Sequence, residues 1–149
     1  MYQRILVCVD FSEAAPNVLL KARELANQNQ ADLVLMHVVE YVPPLELAGD
    51  PLILPSWGVD EQALLKRAQQ SLQTLAQQHG CAQCRQITVI GIPKLEIRRV
   101  LEESRIDLLV IGAHSRHGLG RLLGSTAHGL LNYATCDVLA VHLEHQKKV

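Results

Sequence analysis

Five apolar runs, each short and nearly unbroken, alternate along the chain with stretches in which apolar residues recur at helical spacing. The first run, Arg4 to Val9 (RILVCV), reads as a strand buried on both faces, because it shows no period-two alternation. It closes at Asp10 and Ser12, a pair suited to ending a strand and capping a helix. From Glu13 the spacing becomes helical, with Val18, Leu19, Ala22, Leu25 and Ala26 on one stripe and Lys21, Arg23, Glu24 and Asn27 opposite, ending near Asn29. Asp32 to Val39 (DLVLMHVV) is the second strand, and His37 within it reads as a strand residue hydrogen-bonded at the end of the sheet.

Glu40 to Gly58 breaks the rhythm, with prolines at 43, 44, 51 and 55 and no usable period. The spacing predicts a long surface loop there, and its Leu52, Ile53, Leu54 and Trp57 suggest a lid or a contact surface. Val59 to Gln78 is helical again, with Leu64, Leu65, Ala68, Leu72, Leu75 and Ala76 facing inward, and His79-Gly80 stops it. Arg85 to Ile90 is a third strand, less apolar than the first two and so placed nearer a sheet edge. After Gly91-Ile92-Pro93 a third helix runs to about Ser104, with Ile97, Val100 and Leu101 inward. Asp107 to Ile111 is the fourth strand, Gly124 to Ala134 the fourth helix, and Asp137 to His142 the fifth strand.

Strands alternating with helices call for a parallel sheet covered on both faces, and right-handed crossovers restrict the topology to a doubly wound α/β form. In such folds ligands bind outside the carboxyl ends of the strands, where the strand order reverses. Asp10 and Gly112, at the ends of the first and fourth strands, are the candidates for that crevice.

Length and charge narrow the function classes. The 149 residues fit one domain spanning 1–149, and the net charge of −1 gives no reason to expect nucleic acid or an anionic membrane as partner. No apolar stretch approaches a membrane span and no signal-peptide pattern opens the chain, so a soluble, cytoplasmic protein is expected. Of the four cysteines, Cys8 and Cys136 read as small core residues. Cys81 and Cys84 have thioredoxin-like spacing, but they follow a helix and precede a strand, whereas a redox pair of that type is activated at a helix N-terminus. No second ligand pair accompanies them.

The densest candidate chemistry lies in Asp107 to Gly129, DLLVIGAHSRHGLGRLLGSTAHG: a strand, a basic loop with glycines, and a helix start at Gly124-Ser125-Thr126. Unpaired N–H groups and the positive dipole end at such a start suit an anion. The loop has no P-loop lysine and no G-x-S-x-G elbow, and its Gly118-x-Gly120 pattern follows the fourth strand rather than the first, unlike a dinucleotide fingerprint. His114, His117 and His128 have no Cys or carboxylate at ligand spacing, so no metal site is expected. The segment alone fits either a phosphate cradle or a loop that merely shapes a tight helix start.

RILVCVDFSEAA at the start, LVLMHVVE at the second strand and LLVIGAHSRHGLGRLLGSTAHGLLNYATCDVLAV at the end together resemble the universal stress protein family over nearly the whole chain. The resemblance implies a Rossmann-like, five-stranded open parallel sheet of order 3-2-1-4-5, and a homodimer formed through the edge of the fifth strand. One class of the family binds ATP through G-x2-G-x9-G-[ST]; another lacks the motif and binds no ATP. Here Gly112 matches the first glycine, Ser115 stands at the second, and the eight residues Arg116 to Leu123 precede the matching Gly124-Ser125.

By that resemblance, Val9 and Val38 line an adenine pocket, Asp10 approaches the ribose or a metal–phosphate group, Ile111 sits beside the nucleotide, and Ser125 and Thr126 donate to phosphates. The implied cofactor is ATP, with Mg²⁺. Two functions follow: a nucleotide-binding stress-response regulatory module with at most slow ATP hydrolysis, or an interaction dimer of the same family that has lost the nucleotide. Ser115 and the shortened loop discriminate them.

Overall fold

Each apolar run becomes a strand, and each helical stretch a helix, in the computed structural model, which describes residues 1–40, 60–113 and 127–142. In chain order the elements are β1 (Arg4–Cys8), α1 (Ala15–Asn29), β2 (Asp32–Glu40), α2 (Glu61–Gln78), β3 (Arg85–Gly91), α3 (Pro93–Glu103), β4 (Leu108–Gly112), α4 (Ala127–Tyr133) and β5 (Asp137–Val141). The strands form one five-stranded sheet of order β3-β2-β1-β4-β5, and every neighbouring pair is parallel. Strand order therefore reverses between β1 and β4, which pair as Ile5↔Leu108, Leu6↔Leu109 and Val7↔Val110.

Two cores lie on opposite faces of this sheet. On one, Ile5, Val7 and Val9 of the first strand segment and Leu33 and Leu35 of β2 pack under Val18, Leu19, Ala22 and Ala26 of α1 and Leu72 and Ala76 of α2. On the other, Leu6, Cys8, Val34, Met36 and Val38 pack under Ile97, Val100 and Leu101 of α3 and Leu130 of α4. Burial on both faces is why β1, β2 and β4 read as unbroken apolar runs. β3, at the sheet edge, has no fully buried residue: Arg85 is exposed and Gln86 to Gly91 are half-buried, which accounts for its more polar sequence.

Three local expectations are corrected. α1 begins at Ala15, not Glu13, and its N-cap Ala14 makes no side-chain cap. Ser12 is instead drawn into a turn on Asp10, donating both its N–H (3.1 Å) and its hydroxyl to Asp10 Oδ1. Leu64, placed on the inner stripe of α2 by its spacing, is 39% exposed, and the buried stripe of that helix is Ala68, Leu72 and Ala76. Glu40, expected to open the long loop, belongs to β2; the rest of that expected loop falls in residues 41–59, which lie outside the described residues.

Helix ends use left-handed residues. Gly80 has φ +68° just past α2, allowing the Cys81 N–H to reach back to the Ala76 carbonyl (2.7 Å). α1 ends the same way on a non-glycine, Gln30, at φ 54°, with the Ala31 N–H on the Ala26 carbonyl (2.9 Å).

Candidate functional site

The carboxyl ends of β2, β1 and β4 meet at the reversal point, and chemistry accumulates there because the chain must leave the sheet on opposite sides. Past Cys8, Val9 remains attached to the sheet: its N–H donates to the Met36 carbonyl at 2.9 Å. The Val9 carbonyl accepts the Nδ1–H of His37 at 2.8 Å. A carbonyl can only accept, so this bond fixes the proton of the neutral imidazole on Nδ1 and leaves Nε2 as the acceptor. Burial lowers the His37 pKa below the ordinary histidine value, while the Val9 carbonyl and the Asp10 carboxylate oppose that shift.

Asp10 stands at the mouth of this crevice with its two oxygens in different states. Oδ1 accepts both bonds from Ser12. Oδ2 is buried without a hydrogen-bond partner among the described residues. A carboxylate oxygen removed from water without a donor costs on the order of 1–3 kcal/mol or more, so it is a group poised to accept from a ligand hydroxyl or to meet a cation. Beside it, Phe11 is 46% exposed and stacks on His37 with ring centroids 4.2 Å apart and planes tilted by 34°. The pair forms an aromatic rim on the α1 side.

The residues singled out from the sequence do not all meet. Val9 is buried in the core under α1 and α2, whereas Val38 and Ile111 are buried in the core under α3 and α4. The side chains of Val9 and Val38 therefore face opposite sides of the sheet. Any ligand shared by the two strands meets Val9 through its main chain.

Gly112 is the last residue of β4, paired with Val141 of β5, and the next N–H, of Ala113, donates to the Val141 carbonyl at 2.7 Å. Its backbone is that of a strand; among the described glycines only Gly80 has positive φ. Ser115, Gly124, Ser125 and Thr126 lie outside the described residues. Among the described residues no group of three or more His, Cys, Asp or Glu is placed to hold a metal ion.

Sequence reasoning missed the Phe11–His37 pair. The available signal was Phe11 itself, the chain's one phenylalanine, placed directly after the acid that ends the first strand. A second concavity, of about 790 Å³, lies at the opposite pole, among the amino ends of the strands, and is lined in part by Arg4, Arg23, Cys84 and Arg85. It shares no residue with the crevice at Asp10.

The sheet order, the helices on both faces and the strand-end crevice define a doubly wound α/β domain of Rossmann type. The chain belongs to the universal stress protein family, whose model matches residues 1–142. It is 36% identical over 143 residues to universal stress protein A homolog 1 of Coxiella burnetii, covering 96% of this chain and 98% of that one. Among solved structures, UspA from Lactobacillus plantarum superposes with a TM-score of 0.69 at 28% identity, over 94% of this chain and 97% of that one. A universal stress protein solved in complex with cAMP superposes with a TM-score of 0.58 at 25% identity, over 95% and 97% of the two chains. No described helix is long and apolar enough to cross a membrane.

Proposed function

We propose that this chain is an adenine-nucleotide-binding regulatory module of the stress response, acting as a homodimer joined along the β5 edge, with ATP as the ligand of the crevice at Asp10. The observation that carries the reading is the unmatched, buried Oδ2 of Asp10 at the carboxyl end of β1. A ribose hydroxyl donating to it, or a metal ion accompanying the phosphates, removes the cost of leaving that oxygen bare. In this reading Val38 and Ile111 flank the base from the α3 side, and Val9 contributes its main chain. Gly112 leads into Ser115, Gly124, Ser125 and Thr126, whose amides and hydroxyls hold the phosphates. A relative whose structure contains cAMP supports an adenine nucleotide as the ligand class.

Thermal denaturation with and without ATP and Mg²⁺ tests this. A ligand present at about 100 times its Kd adds roughly 2.7 kcal/mol of apparent stability. A rise in Tm that grows with ATP concentration, and is lost in Asp10→Ala, is the expected result. No rise at millimolar ATP, in a chain that is still dimeric, replaces the reading with the second one, an interaction dimer that has lost the nucleotide. Ser115 and the shortened loop are the features that favour that second reading.

A further inference from the structure

We propose that Cys81 and Cys84 form a dithiol–disulfide exchange site that accepts a small, carboxylate-bearing disulfide of the oxidised-glutathione class. Both cysteines are free thiols. The Cys84 N–H donates to the Cys81 carbonyl at 3.0 Å, closing a four-residue turn between α2 and β3. Such a turn holds its outer Cα atoms within about 7 Å, and a disulfide needs a separation of about 4.4–6.8 Å. Forming the bond therefore requires little movement of the backbone.

The surroundings assign the two sulfurs different roles. Cys81 is 1% exposed and donates its thiol to the His79 carbonyl at 3.6 Å. Cys84 is half-buried and lines the concavity of about 790 Å³ together with Arg4, Arg23 and Arg85, set against Asp32 and Glu103. Cys84 is thus the sulfur an external reagent can reach. The arginines give that reagent's carboxylates a place to dock.

The exchange balances in two steps. The Cys84 thiolate attacks one sulfur of the incoming disulfide, whose S–S bond breaks and releases one thiolate, leaving a mixed disulfide on Cys84. The Cys81 thiolate then attacks the Cys84 sulfur and expels the second thiolate. Cys81 and Cys84 lose two electrons, the small disulfide gains two, and the two thiol protons end on the two released thiols.

Burial and the neighbouring Cys81 push the Cys84 pKa up to about 11, against the opposing charge of Arg23. The exchange is therefore slow at neutral pH and faster in alkali. This pair records an oxidising environment; it does not turn over like a helix-activated redox enzyme.

The test uses the full reduced chain with oxidised glutathione, read by intact mass and peptide mapping. The expected result is a loss of about 2 Da located in a Cys81–Cys84 link, at a rate that rises with pH, and in Cys81→Ala a glutathione adduct that stays on Cys84. Glutathione on Cys136 with Cys81 and Cys84 still reduced overturns the proposal, as does a link involving Cys8. The wild-type map decides even if Cys81→Ala fails to fold. Arg23→Gln should slow exchange with oxidised glutathione several-fold more than exchange with uncharged hydroxyethyl disulfide, which senses only the lost charge that favours the Cys84 thiolate; an equal change with both reagents overturns the docking role of the arginines.

Discussion

His37 of β2 donates its Nδ1–H to the main-chain carbonyl of Val9 across 2.8 Å, tying the end of β1 to its neighbour beside the one buried carboxylate oxygen that lacks a partner among the described residues. The bond continues the β1–β2 ladder past Cys8↔Met36 by using a side chain. It also holds Phe11 against the imidazole at the rim of the crevice.

Because burial lowers the His37 pKa, the imidazole is held neutral in the folded protein. The unfolded chain then binds the extra proton first, so stability is full above the ordinary histidine pKa of about 6.5 and declines as pH falls below it, until the folded-state pKa is passed. His37→Asn keeps an N–H donor near the Nδ1 position but does not titrate. Urea midpoints measured from pH 8 to pH 5 should fall less in His37→Asn than in the wild type. Parallel curves for the two proteins would remove His37 as the cause.

Asp10→Asn should separate stability from binding. The amide retains an oxygen acceptor for Ser12 and replaces the bare Oδ2 with an uncharged group, so the apo protein should unfold at the same denaturant concentration or higher. ATP affinity should drop at least tenfold, about 1.4 kcal/mol. Affinity equal to wild type by calorimetry would show that Oδ2 does not serve the nucleotide.

Gln30 ends α1 with φ 54°, a conformation in which a side chain is disfavoured and glycine is not. Gln30→Gly should stabilise the protein by about 0.5–1 kcal/mol. An unchanged or lower Tm would contradict this account of the α1 terminus.

β5 is the last strand of the sheet, and its Ala140 is exposed while Leu139 and Val141 pack on one core and Val138 on the other. A charge at Val138 or Val141 would therefore damage a core as well as an edge. Ala140→Lys leaves both cores intact and sets like charges against each other across a strand-edge dimer. Sedimentation should show folded monomer for Ala140→Lys. A dimer as tight as that of the wild type would move the interface elsewhere.

The layered fold was legible because strands buried on both faces need unbroken apolar runs, and β1, β2 and β4 supplied them. The edge position of β3 was legible for the converse reason, since Arg85, Gln86 and Thr88 are tolerated only where one side of the strand is less enclosed. The start of α1 was not legible: whether Asp10 caps a helix or folds Ser12 into its own turn depends on how the strand releases the chain. In the site, the position of Asp10 followed from its place after a strand. The separation of Val9 and Val38 did not, because two unbroken apolar runs carry no alternation from which to read register. Only the observed pairing of Cys8 with Met36 sets Val9 level with His37 and turns Val38 to the other face.

A crystal structure of the chain grown with ATP and Mg²⁺ decides whether the crevice at Asp10 holds the nucleotide. Nucleotide is expected at the carboxyl ends of β1 and β4, with a ribose hydroxyl or a metal ion within bonding distance of Asp10 Oδ2. Nucleotide bound elsewhere, or Asp10 Oδ2 satisfied by a protein donor that closes the crevice, would contradict that placement.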